Sequence, residues 1–498
     1  MRVLLFILSL LSTVAAAQTN QYLFIGHTRS DFQSVVWPLE HVQYDAYATL
    51  MLGGDYLWDT SANEQSMRYM DSVFDLDRPE TLIAFGNHDD ASRTRFRAYT
   101  GRALAYTYQT NGMYFIVLDT EEDPGDIPPG QLAMIDHAVN NVTNISAIVL
   151  VKHRILWMVN NVDLAHLMPQ MAATTQSLGS SNWFSDVHPL LVQAEQAGIE
   201  VVCLAGDRTD VNVEYARDGV TYLASGIKEE FPPTNNFVVT LTQDVGAGTL
   251  THAFNDLTEL PTTFPPIVIS EIHFQPGSPQ VSGHEFVELY NFGRKPYDLN
   301  GCAVISGVGF SFTNSTILAP GGFLVLARDA SMYSGLSVPV LEWEAGNNLD
   351  NSRDAIVLVD PAGKVLDAVA FDNKTGGTDT PWQREPFGGG PTLALLDAHE
   401  DNVWSRNWRS SEQDGGTPGA PNFVLPVLER VALDGGAVVS RWASVETGVD
   451  YALEASPSLK IPQWQELGVY PASFNTLSLT NAPGIDSTSF YRLRRIFP

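Results

Sequence analysis

The first half of the chain is punctuated by short, uninterrupted apolar runs: Tyr22-Leu23-Phe24-Ile25, Thr49-Leu50-Met51-Leu52, Leu82-Ile83-Ala84-Phe85, Phe115-Ile116-Val117-Leu118, Ile148-Val149-Leu150-Val151 and Val201-Val202-Cys203-Leu204. A run without polar alternation fits a strand buried on both faces, which is the pattern of a covered sheet. Longer stretches of helical character lie between several of them. One spans Pro189 to Ala197, starts at His188-Pro189 and stops at Gly198, where glycine tolerates the backbone turn that ends a helix. Residues 18–258 therefore read as an α/β domain.

The pattern changes after Glu259-Leu260-Pro261-Thr262-Thr263-Phe264-Pro265-Pro266, a proline-rich joint. Beyond it, short alternating segments such as Phe286–Tyr290, Phe323–Leu326 and Ala355–Val359 are separated by Gly, Pro, Asn and Asp. Helical periodicity is nearly absent, so 267–422 reads as an all-β sandwich. Gly415-Gly416-Thr417-Pro418-Gly419-Ala420-Pro421-Asn422 closes it, and 427–498 returns to short strands (Ala437–Trp442, Tyr451–Glu454) as a small all-β module. A length of 498 residues at roughly 100–200 per domain suits about three domains.

Residues 1–17 place Arg2 before a short apolar run and end in Ala15-Ala16-Ala17, the layout of a signal peptide. No later segment is apolar for long enough to span a bilayer as a helix. The expected location is secreted, periplasmic or cell-surface. The net charge is −29, from 57 acidic and 28 basic residues, which disfavours direct binding of nucleic acid. Cys203 and Cys302 each sit in an apolar run and read as buried strand thiols rather than a disulfide.

Polar, chemistry-bearing residues follow the strand ends: His27-Thr28-Arg29, Gly53-Gly54-Asp55, Gly86-Asn87-His88-Asp89, Lys152-His153-Arg154 and Gly206-Asp207-Arg208-Thr209-Asp210. Each alone has an ordinary reading: Asp55, Asn87 and Asp89 as turn formers, His27 and His153 as buried hydrogen-bonded histidines. Together they sit where α/β sheets bind ligands. Carboxylate, amide oxygen and imidazole suit a divalent ion such as Mn, Fe or Zn.

With these motifs, residues 18–258 resemble the calcineurin-like metallophosphoesterases. The resemblance implies a four-layer sandwich, two sheets flanked by helices, that hydrolyses phosphomonoesters or phosphodiesters with two metals. It assigns Asp55 as the carboxylate between the metals, Asn87 and His153 as ligands, and His88 as the group assisting the leaving oxygen. The chain departs from the family pattern elsewhere. His27 and Arg29 stand where Asp and His are usual, and Asp207 and Thr209 replace two histidines. One metal position keeps Asp55, Asn87, His153 and Asp207; the other keeps only Asp55 and His27. One metal is thus expected rather than two, with Arg29 as a fixed cation that clamps phosphate, together with Arg208.

Residues 267–422 resemble a lamin-tail domain of immunoglobulin-like fold, through Ile269–Phe274, Glu285–Asn291, Asp298–Gly301, Leu318–Phe323, Leu349–Ser352 and Gly415–Asn422. Glu271, Glu285 and Glu288 read there as hydrogen-bonding residues at the sandwich rim. Trp382, Trp404 and Trp408 read as core. The last module is similar to C-terminal β modules of exported bacterial proteins.

Three functions follow as expectations: an exported metal-dependent phosphoesterase acting on a phosphoester of unknown identity; a catalytically weak or inactive binding protein on that scaffold; and a surface or matrix protein acting through ligands of its β modules. Two minor readings complete the set. The acidic run Asp119–Asp123 is expected to be a solvated loop, and His188 to be structural.

Overall fold

The computed structural model describes residues 19–29, 34–36, 38–227, 236–277, 282–373, 382–399, 402, 405–423, 426–434, 437–445, 447, 449–456, 465–481 and 490–496. The leader expected over 1–17 and Trp404 lie outside the described residues. The described residues fall into two compact units. The first takes in the chain up to Val268 together with Pro296–Ile317 and residues within Glu344–Pro381; the second takes in Ile269–Lys295, Leu318–Trp343 and the chain from Trp382.

In the first unit the elements run β1 (Thr19–Ile25), β2 (Thr49–Leu52), α1 (Glu64–Phe74), β3 (Thr81–Ile83), α2 (Arg93–Thr100), β4 (Tyr106–Thr110), β5 (Met113–Val117), α3 (Pro129–Asn141), β6 (Ala147–Lys152), α4 (Ala173–Gln176), α5 (His188–Gln196), β7 (Glu200–Ala205), β8 (Val213–Arg217), β9 (Val220–Ala224), β10 (Phe237–Asp244) and β11 (Thr249–Asp256). They form a five-stranded sheet in the order β11-β10-β1-β2-β3 and a six-stranded sheet in the order β4-β5-β6-β7-β9-β8. The strands foreseen from the apolar runs are β1, β2, β3, β5, β6 and β7, and they pair in parallel within each sheet. β10 and β4 flank them in antiparallel pairings with β1 and β5, β11 adds antiparallel to β10, and β9 adds parallel to β7 and carries β8 antiparallel at the edge.

Alternation along each apolar run sends its side chains to two different cores. Tyr22, Phe24, Met51 and Leu82 of one sheet meet Phe115, Val117, Val149, Val151 and Leu204 of the other. The outward set Leu23, Ile25, Leu50 and Leu52 packs on Met67, Met70 and Phe74 of α1 and Phe96 of α2. On the far side, Ile116, Leu150 and Cys203 pack on Ile135 of α3 and on Leu191 and Ala194 of α5. The layers are helix, sheet, sheet, helix, so both faces of each run leave water, at about 25 cal/mol for each Å² of apolar surface.

Local signals set the helix ends. The Asn63 side chain accepts the Ser66 N–H at 2.8 Å to cap α1, which stops at Asp75 in the left-handed region. Proline opens α3 and α5, where its missing N–H costs nothing.

The first unit also contains a four-stranded antiparallel sheet of Phe310–Ser311, Ala303–Ser306, Arg353–Val359 and Val365–Asp372. Val357, Val359, Val365 and Ala368 from this sheet join the core that holds α1. In the second unit, Val340–Glu342, Phe323–Ala327, Phe286–Asn291, Ile267–His273, Leu393–Leu395 and Trp408–Ser410 form a six-stranded sheet. No α-helix occurs among the described residues of 267–423, consistent with an immunoglobulin-like β fold. The C-terminal module is two three-stranded sheets around Trp442, Tyr451, Leu453, Leu479 and Leu493.

Two expectations need correction. Cys302 is a buried free thiol but lies one residue before its strand; Cys203 is within β7. The acidic run after β5 is not wholly solvated. Asp119 is buried and paired with Arg93, and Glu121 is paired with Arg154; only Glu122 and Asp123 face water.

Candidate metal centre

The loops leaving β1, β2, β6 and β7 meet because glycines let their backbones touch. A Cβ on Gly206 would lie 2.5 Å from the Gly53 carbonyl oxygen, and one on Gly53 would lie 2.8 Å from the Gly206 Cα. Both distances are below any real carbon contact, so only hydrogen fits at this junction. It joins the two sheets at the ends of β2 and β7, and there Asp55 and Asp207 enter one pocket. His27 and Asp55 themselves take left-handed backbone, with φ of 50° and 57°. That conformation costs a non-glycine residue roughly 1–2 kcal/mol.

Asp55, His153 and Asp207 are all buried, and each offers a ligand atom within 4.8 Å of the other two. His153 Nε2 stands 3.5 Å from Asp55 Oδ1, 3.7 Å from Asp207 Oδ1 and 3.2 Å from Asn87 Oδ1. Its Nδ1 is 2.8 Å from the Gly53 carbonyl, an acceptor, so Nδ1 carries the proton. Nε2 of the neutral ring therefore presents a lone pair to three acceptor oxygens, an arrangement that repels unless a cation or a second proton lies among them. Burial opposes that proton, but Asp55, Asp207 and Glu121 overcome it and raise the imidazole to about 9. These four donors fit a divalent ion, in type and in convergence.

His27 stands apart from the cluster. Its Nδ1 donates to the Ile227 carbonyl at 2.7 Å, and its Nε2 lies 3.9 Å from the other Asp55 oxygen, Oδ2. Burial drives it down to about 3, keeping the ring neutral. Burial would raise Asp55, but His153, His27 and His88 outweigh it and hold the carboxyl below its usual range. The Asp207 Oδ2 accepts the hydroxyls of Thr174 and Thr175 at 2.8 Å, and Oδ1 accepts the Arg208 N–H at 2.8 Å. Thr209 is buried with its hydroxyl against Gly226, away from any ligand role.

His88 donates its backbone N–H to Asp55 Oδ1 at 2.9 Å. Its Nδ1 donates to the Trp58 carbonyl at 2.7 Å, which leaves Nε2 able to accept or deliver a proton. Arg29 lies 4.6 Å over the Trp58 ring, and Trp58 packs on the His88 ring at 5.2 Å. Beneath the loop, Asp89 accepts the N–H groups of Asp55 (2.9 Å), Gly86 (2.8 Å) and Tyr56 (3.2 Å) and the Thr60 hydroxyl. Burial and the Asp55 charge raise it to about 7.

Among the proposed residues, then, Asp55, Asn87, His153 and Asp207 converge, His88 and Arg29 lie beside them, and His27 touches only the rim of Asp55. The positioning roles of Asp89, Thr174, Thr175 and the Glu121–Arg154 pair escaped the sequence reading. The Gly-Asn-His-Asp motif carries a signal for Asp89; nothing local marks the threonines. His188 donates and accepts between Tyr222 and Asp218, a structural role.

A family model, the Lamin Tail Domain, matches residues 261–373. The lamin-tail domain is thus present in this chain. No metallophosphoesterase family model matches the residues before it, and no curated protein matches the chain. Within the lamin-tail domain, Glu271 and Glu288 are fully buried rather than at a rim. Glu271 accepts from the Thr392 hydroxyl (2.5 Å) and the Thr417 N–H, and Glu288 from the Ser270 hydroxyl (2.7 Å) and the Gly419 N–H (2.6 Å). Glu285 pairs with Arg328. Trp382 and Trp408 are buried with their rings 6.1 Å apart. No helix of the described residues is long and apolar enough to cross a membrane.

Proposed function

We propose that residues 18–258 form a metallophosphoesterase domain that hydrolyses a phosphoester with one divalent ion, Mn, Fe or Zn, in an exported protein that also carries a lamin-tail domain. The observation that supports this most is the convergence of Asp55, His153, Asp207 and Asn87, from the ends of four strands, around one imidazole nitrogen. A layered pair of mostly parallel sheets with helices outside agrees with it. When bound, a divalent ion supplies Lewis-acid polarisation and lowers the pKa of water.

The residues of this chain do the rest. Asp55 is held by the His88 N–H and by the loop that Asp89 fastens. Asp207 is aimed by two threonine hydroxyls, and His153 by the Gly53 carbonyl. Partners of this kind fix a ligand's orientation and raise affinity for the ion. His88, with Nε2 free, is placed to hand a proton to a leaving oxygen. The pocket is buried, so charge interactions inside it are stronger than in water.

The test is hydrolysis of a phosphodiester and a phosphomonoester by the full chain with Mn²⁺, Fe²⁺ or Zn²⁺ added in turn. Metal-dependent turnover is expected, and Asp55→Asn should lower it by about 100-fold or more. Equal rates in wild type and Asp55→Asn would refute the assignment. A chain that binds metal but never turns over would instead be a binding protein on this scaffold. The lamin-tail match favours a further role in holding the protein at a surface or matrix; fractionation of the exporting cells should then find the full chain there and not free in the medium.

A further inference from the structure

Arg29 is about 9% exposed, and its Nε and Nη1 atoms are buried without a hydrogen-bond partner among the described residues. Two guanidinium nitrogens in that state are costly, because their N–H groups have left water without finding an acceptor. Every neighbour with a named contact fails to answer them. Trp58 offers a ring face, which attracts the cation but accepts none of its N–H groups in the plane. Among the other basic side chains of the strand-end loops, Arg154 is already paired with Glu121. The Arg29 N–H donates to the Asp55 carbonyl at 3.2 Å, and its guanidinium lies over Trp58, which packs on His88 beside the Asp55 carboxylate.

We propose that Arg29 is the oxyanion receptor of this pocket: its guanidinium binds an anionic oxygen of a phosphodiester monoanion beside a single divalent ion, and no second metal binds. This rests on the metal-centre reading above and names its substrate class. Asp55 and Asp207 cancel the two charges of a divalent ion, so Arg29 supplies the remaining positive charge. One negative charge on the ligand is thereby balanced. A monoester dianion leaves an excess negative charge beside buried ligand residues, where screening is weaker than in water. Trp58, 40% exposed at the rim, offers an apolar face for one of the two ester groups, which only a diester carries at both ends.

The experiment measures Mn²⁺ stoichiometry and then calorimetric binding of diethyl phosphate and methyl phosphate at pH 8, in the full chain and in the Arg29→Met and Arg29→Lys variants. Melting curves come first; Arg29→Met should melt at or above wild type, since it removes an unanswered buried charge. One Mn²⁺ per chain is expected in all three proteins. Diethyl phosphate should bind wild type more tightly than methyl phosphate, weaken by about 10–100-fold in Arg29→Met, and be partly retained in Arg29→Lys. No diester binding in wild type, equal affinity in Arg29→Met, a second Mn²⁺, or tighter binding of methyl phosphate each overturns the proposal. If wild type takes up no Mn²⁺ yet loses diester affinity on Arg29→Met, the metal reading fails while the receptor role of Arg29 stands.

Discussion

At the scale of single residues, the pocket depends on side chains that touch no ligand. Asp89 is the strongest case, since one carboxylate accepts three backbone N–H groups and a hydroxyl. Removing it strands buried donors, each worth about 1–3 kcal/mol when unsatisfied. Asp89→Ala should therefore lower stability by about 3 kcal/mol or more, read by urea denaturation, and should weaken Mn²⁺ binding because Asp55 loses its anchor. Asp89→Asn should fall between the two. Asp89 was visible in the sequence only as a turn former, because nothing local announces that a turn residue will be buried under a strand end 34 positions away.

At the scale of elements, the site exists because strand-end loops of two sheets are in backbone contact. The apolar runs made β1, β2, β3, β5, β6 and β7 legible, because a strand buried on both faces has no polar alternation to hide it. The strands β4 and β8 were not legible: apart from the buried Val213, their residues are half-exposed or exposed and carry Thr, Gln, Glu and Arg. The Gly53–Gly206 junction was equally hidden, since a close approach leaves no trace in composition. It carries a sharp test. Gly206→Ala puts a methyl group 2.5 Å from the Gly53 oxygen, so the sheets must part or the loop must move. Overpacking of this kind costs about 1–3 kcal/mol or more. The variant should lose stability in thermal melts and lose Mn²⁺ affinity disproportionately, because Asp55 and Asp207 flank the junction. An unchanged Mn²⁺ affinity in a destabilised variant would mean that the contact serves the fold alone.

At the scale of the whole molecule, stability should respond to pH through the lamin-tail domain. Burial raises Glu271 to about 8, and burial together with the Glu271 charge raises Glu288 well above its ordinary value. For an acid whose folded pKa lies above its unfolded one, the folded state holds the proton longer. The contribution is full below the unfolded value near 4.5 and is lost as pH rises through about 8. Unfolding of the second unit should thus become easier from pH 5 to pH 8, seen as falling hydrogen-exchange protection factors, corrected for the intrinsic rate, in the strands Ile267–His273 and Phe286–Asn291. Glu288→Gln keeps an acceptor for the Gly419 N–H and offers an N–H₂ to the Ser270 hydroxyl. It should flatten this dependence and exceed wild type in stability at pH 8. Wild-type protection factors that stay constant across this range would show that the carboxyls do not hold their protons.

Sequence alone determined the succession of a helix-covered α/β part, a β-rich part with the lamin-tail motifs and a short β module, because burial on both faces, strand alternation and turn chemistry are local properties read residue by residue. It also marked His27, Asp55, Asn87, His88, His153 and Asp207 as a set, since donor residues recur after strands. Tertiary structure decided what those residues became. It set His27 to one side of Asp55, left two guanidinium nitrogens of Arg29 without a hydrogen-bond acceptor among the described residues, gave Asp207 its threonines and placed one sheet of the lamin-tail segment on α1. Each of these outcomes depends on which distant backbones come into contact, and such long-range contacts are fixed by packing and burial across the whole domain rather than by any stretch of neighbours.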